Sequence, residues 1–324
     1  MKKLLLFVLV LFMITAGIPF LIVKGLSDYK RVEKVIENKE MISVYIKDED
    51  KVCDMEVEQY IKEVTAAEMP ADFYPEALKA QAVAARTYLA NRVRVYQSSE
   101  TPKEHKGAMI CTDSTHCKAW TSEKVKKEQW GNDADKNWEK ISNAVDETKN
   151  LIITYDNKPI SAVFHSTSSG FTENAKDVWG GDVKYLVSVK SEGDVDSPKF
   201  NSEAEFSVEE FKRIAEENVE GVNWELPMIE NIERSEAGGI KTLTVGGVSV
   251  KGSDFRFMYG LRSTNIEIEF TDNSVHMYVK GYGHGVGMSQ YGANYLAGQG
   301  KTFEEILKNY YLGVEISEYI SLYE

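Results

Sequence analysis

Twenty consecutive residues, Leu4 to Val23, carry no charged side chain, and Lys2, Lys3 and Lys24 bracket them. As an α-helix such a run rises about 30 Å, the thickness of a bilayer's hydrocarbon core. It has no polar face with which to pack inside a soluble core. It is also longer than the apolar stretch of an ordinary cleaved signal, and no clean small-x-small site follows it. The expectation is therefore an uncleaved transmembrane signal anchor over 1–25, a polar helical stalk over 26–40 and one folded domain over 41–324. Lys24, Lys30, Arg31, Lys34 and Lys39 on the far flank count against export under the positive-inside rule. A tail of three residues ahead of a long apolar run favours it. Export is the reading adopted: a single-pass membrane protein with its body outside the cytoplasm.

About 300 residues then remain, enough for a large core. Acidic residues outnumber basic ones, 51 to 38, for a net charge of −13, which argues against nucleic acid as a partner. A neutral or amino-sugar polymer is compatible, and 17 Tyr, 13 Phe and 5 Trp supply faces for one as well as core. Only Cys53, Cys111 and Cys117 carry thiols, which is no disulfide framework.

Local patterning predicts an α+β fold. Met41 to Tyr45 alternates as a strand. Val57 to Met69 places apolar residues at helical spacing and stops at Pro70; Pro75 opens a second, alanine-rich helix running to Tyr96. Residues 97–137 are polar and lysine-rich and read as an excursion from the fold. Leu151–Tyr155 and Ile160–Phe164 flank Asp156-Asn157-Lys158-Pro159, the chemistry of a hairpin turn. Later segments read as helices over Ser207–Asn218 and Phe303–Tyr311. Strands are expected over Thr242–Val250, turning at Gly246-Gly247, and over Asn265–Phe270. The order lacks regular βαβ alternation.

Several groups could carry chemistry. Glu68 lies in the last turn of an apolar helix, where the negative helix end and apolar neighbours raise a carboxyl's pKa, as a general acid requires. Solvation of a helix-end glutamate is the plainer alternative. Lys79 and Arg86 are seven apart on one helix face. They read either as a solvated stripe with a Glu76–Lys79 pair or as a cationic face that holds substrate or orients Glu68. His105, Cys111, His116 and Cys117 fall within thirteen residues and make a tetrahedral zinc set, structural because no position is left open. A Cys111–Cys117 disulfide is the competing reading. Gly281 to Gly292 alternates glycine without matching a phosphate loop or a dinucleotide fingerprint, and suggests close backbone packing that presents His284 and Gln290. His165 and His284 form a further possible pair.

Three separated stretches, AEMPADFYPEALKAQAVAART (67–87), FHSTSSGFTENAKDVWGGDVKYLVSV (164–189) and GYGHGVGMSQYGANYLAGQGKTFEEILKNYYLG (281–313), resemble the SpoIID/LytB family. The likeness runs from about residue 41 to 320. It implies a lytic transglycosylase that cuts the MurNAc–GlcNAc bonds of peptide-stripped peptidoglycan strands and leaves 1,6-anhydro ends. It implies a role in engulfment during sporulation, in the space between mother cell and forespore. The glutamate of its Ala-Glu-Met-Pro motif, the catalytic acid, is Glu68 here. Implied partners are the glycan strands, the amidase SpoIIP and the membrane protein SpoIIM; some members carry a metal in the excursion. Lys79, Arg86, Ser166, Ser168, Ser169, Tyr185 and His284 are taken as candidate glycan-binding groups. Two other classes compete: a non-catalytic glycan-binding module that activates an amidase, and a zinc or cysteine cell-wall hydrolase. No Gly-x-Ser-x-Gly elbow or His-Glu-x-x-His helix supports the last.

Overall fold

The structure is a computed structural model that describes residues 40–319 and 321. The expected anchor, and the stalk apart from Glu40, lie outside the described residues. Among the described residues no helix is long and apolar enough to cross a membrane.

The described chain begins with β1 (Met41–Ile46) and β2 (Lys51–Glu56), an antiparallel hairpin. Glu56 leads directly into α1 (Val57–Glu68), whose last turn is closed by Pro70, and α2 (Pro75–Tyr96) follows. The polar segment contains β3 (Ile110–Cys111), α3 (Glu123–Trp130) and the start of α4 (Ala134–Asp146). It is therefore less of an excursion than its composition suggests, because β3 pairs in parallel with β1 and completes the first sheet.

Next come β4 (Leu151–Tyr155), β5 (Lys158–Pro159), β6 (Phe164–His165) and α5 (Ala175–Trp179). The expected hairpin is corrected here. Asp156 and Asn157 do turn with positive φ, but the returning strand is only Lys158 and Pro159, with one further bond from the Ile160 N–H to the Ile153 carbonyl, after which the chain leaves and pairs through β6 with a distant partner.

Residues 201–280 comprise β7 (Asn201–Ser207), α6 (Val208–Asn218), β8 (Ile229–Arg234), β9 (Ile240–Val245), β10 (Val248–Lys251), α7 (Gly252–Met258), β11 (Asn265–Phe270) and β12 (Ser274–Lys280). They form two three-stranded sheets, β11-β12-β7 and β10-β9-β8, around their own core of Phe211, Phe255, Ile266 and Met277. The Gly246-Gly247 turn lies where expected, between β9 and β10. The chain then returns through β13 (Met288–Ser289), parallel to β6, to α8 (Gln290–Gly298), α9 (Phe303–Tyr310) and β14 (Glu315–Glu318), which pairs with β4.

Helix α2 explains its alanines. Ala77, Ala80, Val83 and Ala84 face one core with Phe73, Ile153 and Met288, while Ala82, Ala85, Leu89 and Val93 face another with Val44, Ile61 and Ile110. A helix packed on both sides needs small residues for close approach. Each fully buried aliphatic such as Leu78 or Leu89 contributes about 1.5–3 kcal/mol.

Arg86 is the largest correction. It is fully buried and reaches no ligand surface. Its Nε and Nη2 donate to the two Glu58 carboxylate oxygens at 2.9 and 2.6 Å, and Nη1 and Nη2 also donate to the carbonyls of Thr148, Leu151 and Val145. All five guanidinium donors are consumed. Neither a solvated stripe nor a substrate contact describes it; it locks α1, α2 and the α4–β4 connection together.

Arg86→Met should therefore cost about 3–5 kcal/mol, because it strands Glu58 and three carbonyls. The double variant Arg86→Met/Glu58→Met should regain a large part of that loss. Urea unfolding of the parent, Arg86→Met, Glu58→Met and the double variant measures the coupling.

Candidate functional site

Helix α1 ends on Glu68, and Met69 then turns into extended backbone ahead of Pro70. The side chain is partly buried and lines a cavity of about 540 Å³. Ala119 N–H donates to Oε1 at 3.0 Å and the Gln290 amide donates to Oε2 at 3.3 Å. Burial pushes the Glu68 pKa up, against the pull of Lys118, Ala119 and Gln290. The negative end of α1 acts in the same direction as burial. Glu68 is the only carboxylate among the residues that line the cavity.

One wall is the segment that follows β3. His105, Cys111, His116 and Cys117 bring one donor atom each within 4.8 Å of all the others. His105 Nε2 lies 3.2 Å from both His116 Nδ1 and Cys117 Sγ, and His116 Nδ1 lies 3.5 Å from each sulfur. Zinc at its usual bond lengths sets tetrahedral edges of about 3.3–3.8 Å between nitrogen and sulfur ligands, so the spacing suits that ion. His105 Nδ1 sits 3.2 Å from the Ala108 carbonyl, which leaves Nε2 as the free donor in the usual supporting arrangement. Cys111 and Cys117 are free thiols, so the disulfide alternative is not realised. A Lys47–Asp113 ion pair ties the loop to the turn that follows β1. Cys117, Lys118 and Ala119 are consecutive, so the cluster borders the backbone amide that holds Glu68. Lys118 is buried, its Nζ 4.4 Å from the Tyr88 ring centre and 3.8 Å from that of Phe164; burial lowers its pKa to about 8.

The opposite wall is the glycine-rich loop. Gly283 (φ +120°) would place a Cβ 2.6 Å from the His165 Cβ, and Gly287 (φ +73°) would place one 2.2 Å from the Val163 carbonyl oxygen. Side chains are excluded at both, as the alternation suggested. His284 lines the cavity, its ring 5.1 Å from that of Trp179 and 5.7 Å from that of His165. The Val286 N–H donates to His284 Nδ1, while His165 Nδ1 donates to the Val286 carbonyl; burial lowers both pKa values, His165 to about 4, so both rings are neutral at pH 7. They are a packed pair and, among the described residues, no part of the four-donor cluster. Gln290 opens α8 just after its N-cap, Ser289. Ser289 donates to buried Asp194, which also accepts from Ser168 at 2.6 Å and Ser191 at 2.5 Å.

Of the residues singled out from the sequence, Glu68, Ser166, His284, Gln290, His116 and Cys117 line this cavity. Ser168 is turned inward onto Asp194, Ser169 donates to the Ala237 carbonyl, and Tyr185 accepts from the Ser161 N–H. Lys79 pairs with Glu76 and Glu147 away from the cavity lining. Sequence reasoning passed over Lys118, Arg92, Lys199 and Trp179, which do line it. The first adjoins Cys117, a signal that was available; the others arrive from distant segments.

Comparison with known proteins finds similarity to sporulation proteins over most of the chain. Residues 45–155 match the family model described as SpoIID, stage II sporulation protein. The chain is 42% identical to stage II sporulation protein D of Bacillus amyloliquefaciens over 87% of its own length and 80% of the relative's. The corresponding protein of Bacillus subtilis is 39% identical, with 86% and 79% covered. An amidase enhancer of Bacillus subtilis is 26% identical over 80% of this chain and 40% of that protein.

The strain on Glu68 has a measurable sign. A carboxyl whose folded pKa is raised costs stability as pH climbs from the ordinary glutamate value through the folded one. Glu68→Gln should match the parent's stability at low pH and exceed it at pH 8. Thermal unfolding across pH 4–8 tests this, and equal melting points throughout would exclude a raised pKa.

Proposed function

We propose, for a chain that belongs to the stage II sporulation protein D family, that the Glu68 cavity cleaves the MurNAc–GlcNAc bonds of peptide-stripped peptidoglycan strands as a lytic transglycosylase. The observation that carries this is a single carboxyl, favoured in its protonated form, with no second carboxylate lining the cavity. A hydrolytic glycosidase uses two carboxyl groups flanking the bond. One suffices when the nucleophile belongs to the sugar.

In this mechanism Glu68 gives its proton to the glycosidic oxygen as the bond to the anomeric carbon breaks. The C6 hydroxyl of the same sugar attacks that carbon and returns its proton to the Glu68 carboxylate. The product is a 1,6-anhydro end, and the acid is restored. An internal hydroxyl acts at high effective concentration, so no activated water is needed. The carboxylate formed midway is stabilised by Ala119 N–H and the Gln290 amide. Trp179 and Tyr282, 51% and 37% exposed at the cavity, offer apolar faces for pyranose rings.

Zinc at His105, Cys111, His116 and Cys117 fits as a structural ion with four protein ligands and no open position. It would fix the Cys117–Ala119 segment beside Glu68. By family resemblance the activity serves engulfment during sporulation, with SpoIIP supplying stripped strands and SpoIIM as a membrane partner. The expected anchor would hold the enzyme at the membrane facing the intermembrane space. The likeness to an amidase enhancer favours one second reading, a glycan-binding module that activates an amidase without cutting glycan.

Glu68→Gln separates the two. Incubation with bare strands and mass spectrometry should give anhydro-ended fragments for the parent, reduced about 10²–10⁴-fold in the variant. Undiminished amidase stimulation by the variant, with no anhydro product from the parent, would establish the second reading. Activity should be retained at low pH and lost as pH rises through the raised Glu68 pKa. For zinc, elemental analysis should find one ion per chain, absent in Cys117→Ser. Chelation should inactivate only as fast as the ion-bound loop opens, whereas instant loss would indicate a catalytic ion.

A further inference from the structure

The charge balance of the cavity is the reverse of the chain's. Acids outnumber bases overall, with a net charge of −13, yet Arg92, Lys118 and Lys199 line the cavity against one acid, Glu68. None of the three has a carboxylate within ion-pair distance among the described residues; their contacts are aromatic. Arg92 Cζ stands 4.8 Å from the Tyr88 ring centre, Lys118 Nζ is held between Tyr88 and Phe164, and Lys199 Nζ stands 5.2 Å from the Tyr282 ring. Ring faces hold a cation in place without neutralising it. Three cations lining one opening beside a single acid set a positive potential there that favours an anion.

We infer that Arg92, Lys118 and Lys199 recognise a free carboxylate on the glycan, and so select the chemical state of the sugar being cut. The inference rests on the glycan-cleaving reading and deepens it. The muramyl sugar bears a lactyl ether whose carboxyl is either amide-linked to a peptide or free. Amide linkage removes the charge and fills the space; hydrolysis of the amide restores a carboxylate on the ring whose anomeric carbon is attacked. The cations thus make a prior amide hydrolysis a condition of tight binding, through charge rather than through bulk alone.

The test uses the full chain and two substrates that differ little in size: bare strands with free lactyl carboxylates, and the same strands converted to methylamides by carbodiimide coupling. The parent should show a KM at least tenfold higher for the methylamide. Lys199→Gln and Arg92→Gln should narrow that gap to below threefold, chiefly by raising KM for the carboxylate form, and added salt should narrow it too. Lys118→Gln should do the same, with its melting point measured alongside. Equal kcat/KM on both strands would overturn the inference and leave transglycosylase chemistry intact. Titration calorimetry with Glu68→Gln gives an independent arm. Tenfold tighter binding of the carboxylate strand supports the inference even if the parent enzyme forms no anhydro product, an outcome that would instead overturn the catalytic reading. Equal binding of both strands overturns the inference.

Discussion

The site depends on where α1 points, and the buried Arg86–Glu58 pair sets that direction. Glu58 sits near the start of α1 and Glu68 at its end, so anchoring the first fixes the second. The same guanidinium takes three carbonyls of the α4–β4 connection, so the helix pair and the return from the polar segment share one fastening. A buried ion pair does not by itself stabilise a fold over an apolar replacement. Its value here is geometric: five hydrogen bonds admit one arrangement of three chain segments.

With α1 fixed, the carboxyl's chemistry is set by what closes over it. The β3 side brings the four-donor cluster and, next in sequence, the Ala119 amide. The other side brings Gln290 on α8, aligned by Ser289 and the buried Asp194 network. The two walls act alike on Glu68. Both bury it, which favours the proton, and both offer a donor, which keeps the ionised form within reach. A general acid that must release and regain a proton in one turnover needs that balance.

Much of this frame was legible locally. The bounds of α2 from Pro75 to Tyr96, the stop at Pro70 and the turn at Gly246-Gly247 follow from proline, alanine and glycine chemistry acting over a few residues. The raised pKa of Glu68 followed from its place at a helix end among apolar neighbours, and the four donors were close enough in sequence to converge. What was not legible depends on distant partners. A seven-residue spacing cannot tell a solvated arginine from one buried on Glu58, twenty-eight residues earlier. Two-residue strands such as β6 and β13 carry no periodicity and exist because each finds the other. Ser168 looks like any loop hydroxyl until Asp194 reaches it.

The hydrogen bond between Glu68 and Gln290 joins positions 222 residues apart. The ribosome therefore makes the acid long before it makes the amide that helps to bury it. A nascent or truncated chain carries Glu68 in water, with an ordinary carboxyl and an open cleft. Completion of the last helices is what finishes burying that side chain and raising its pKa, so on the proposed reading the fold withholds its acid until synthesis is finished.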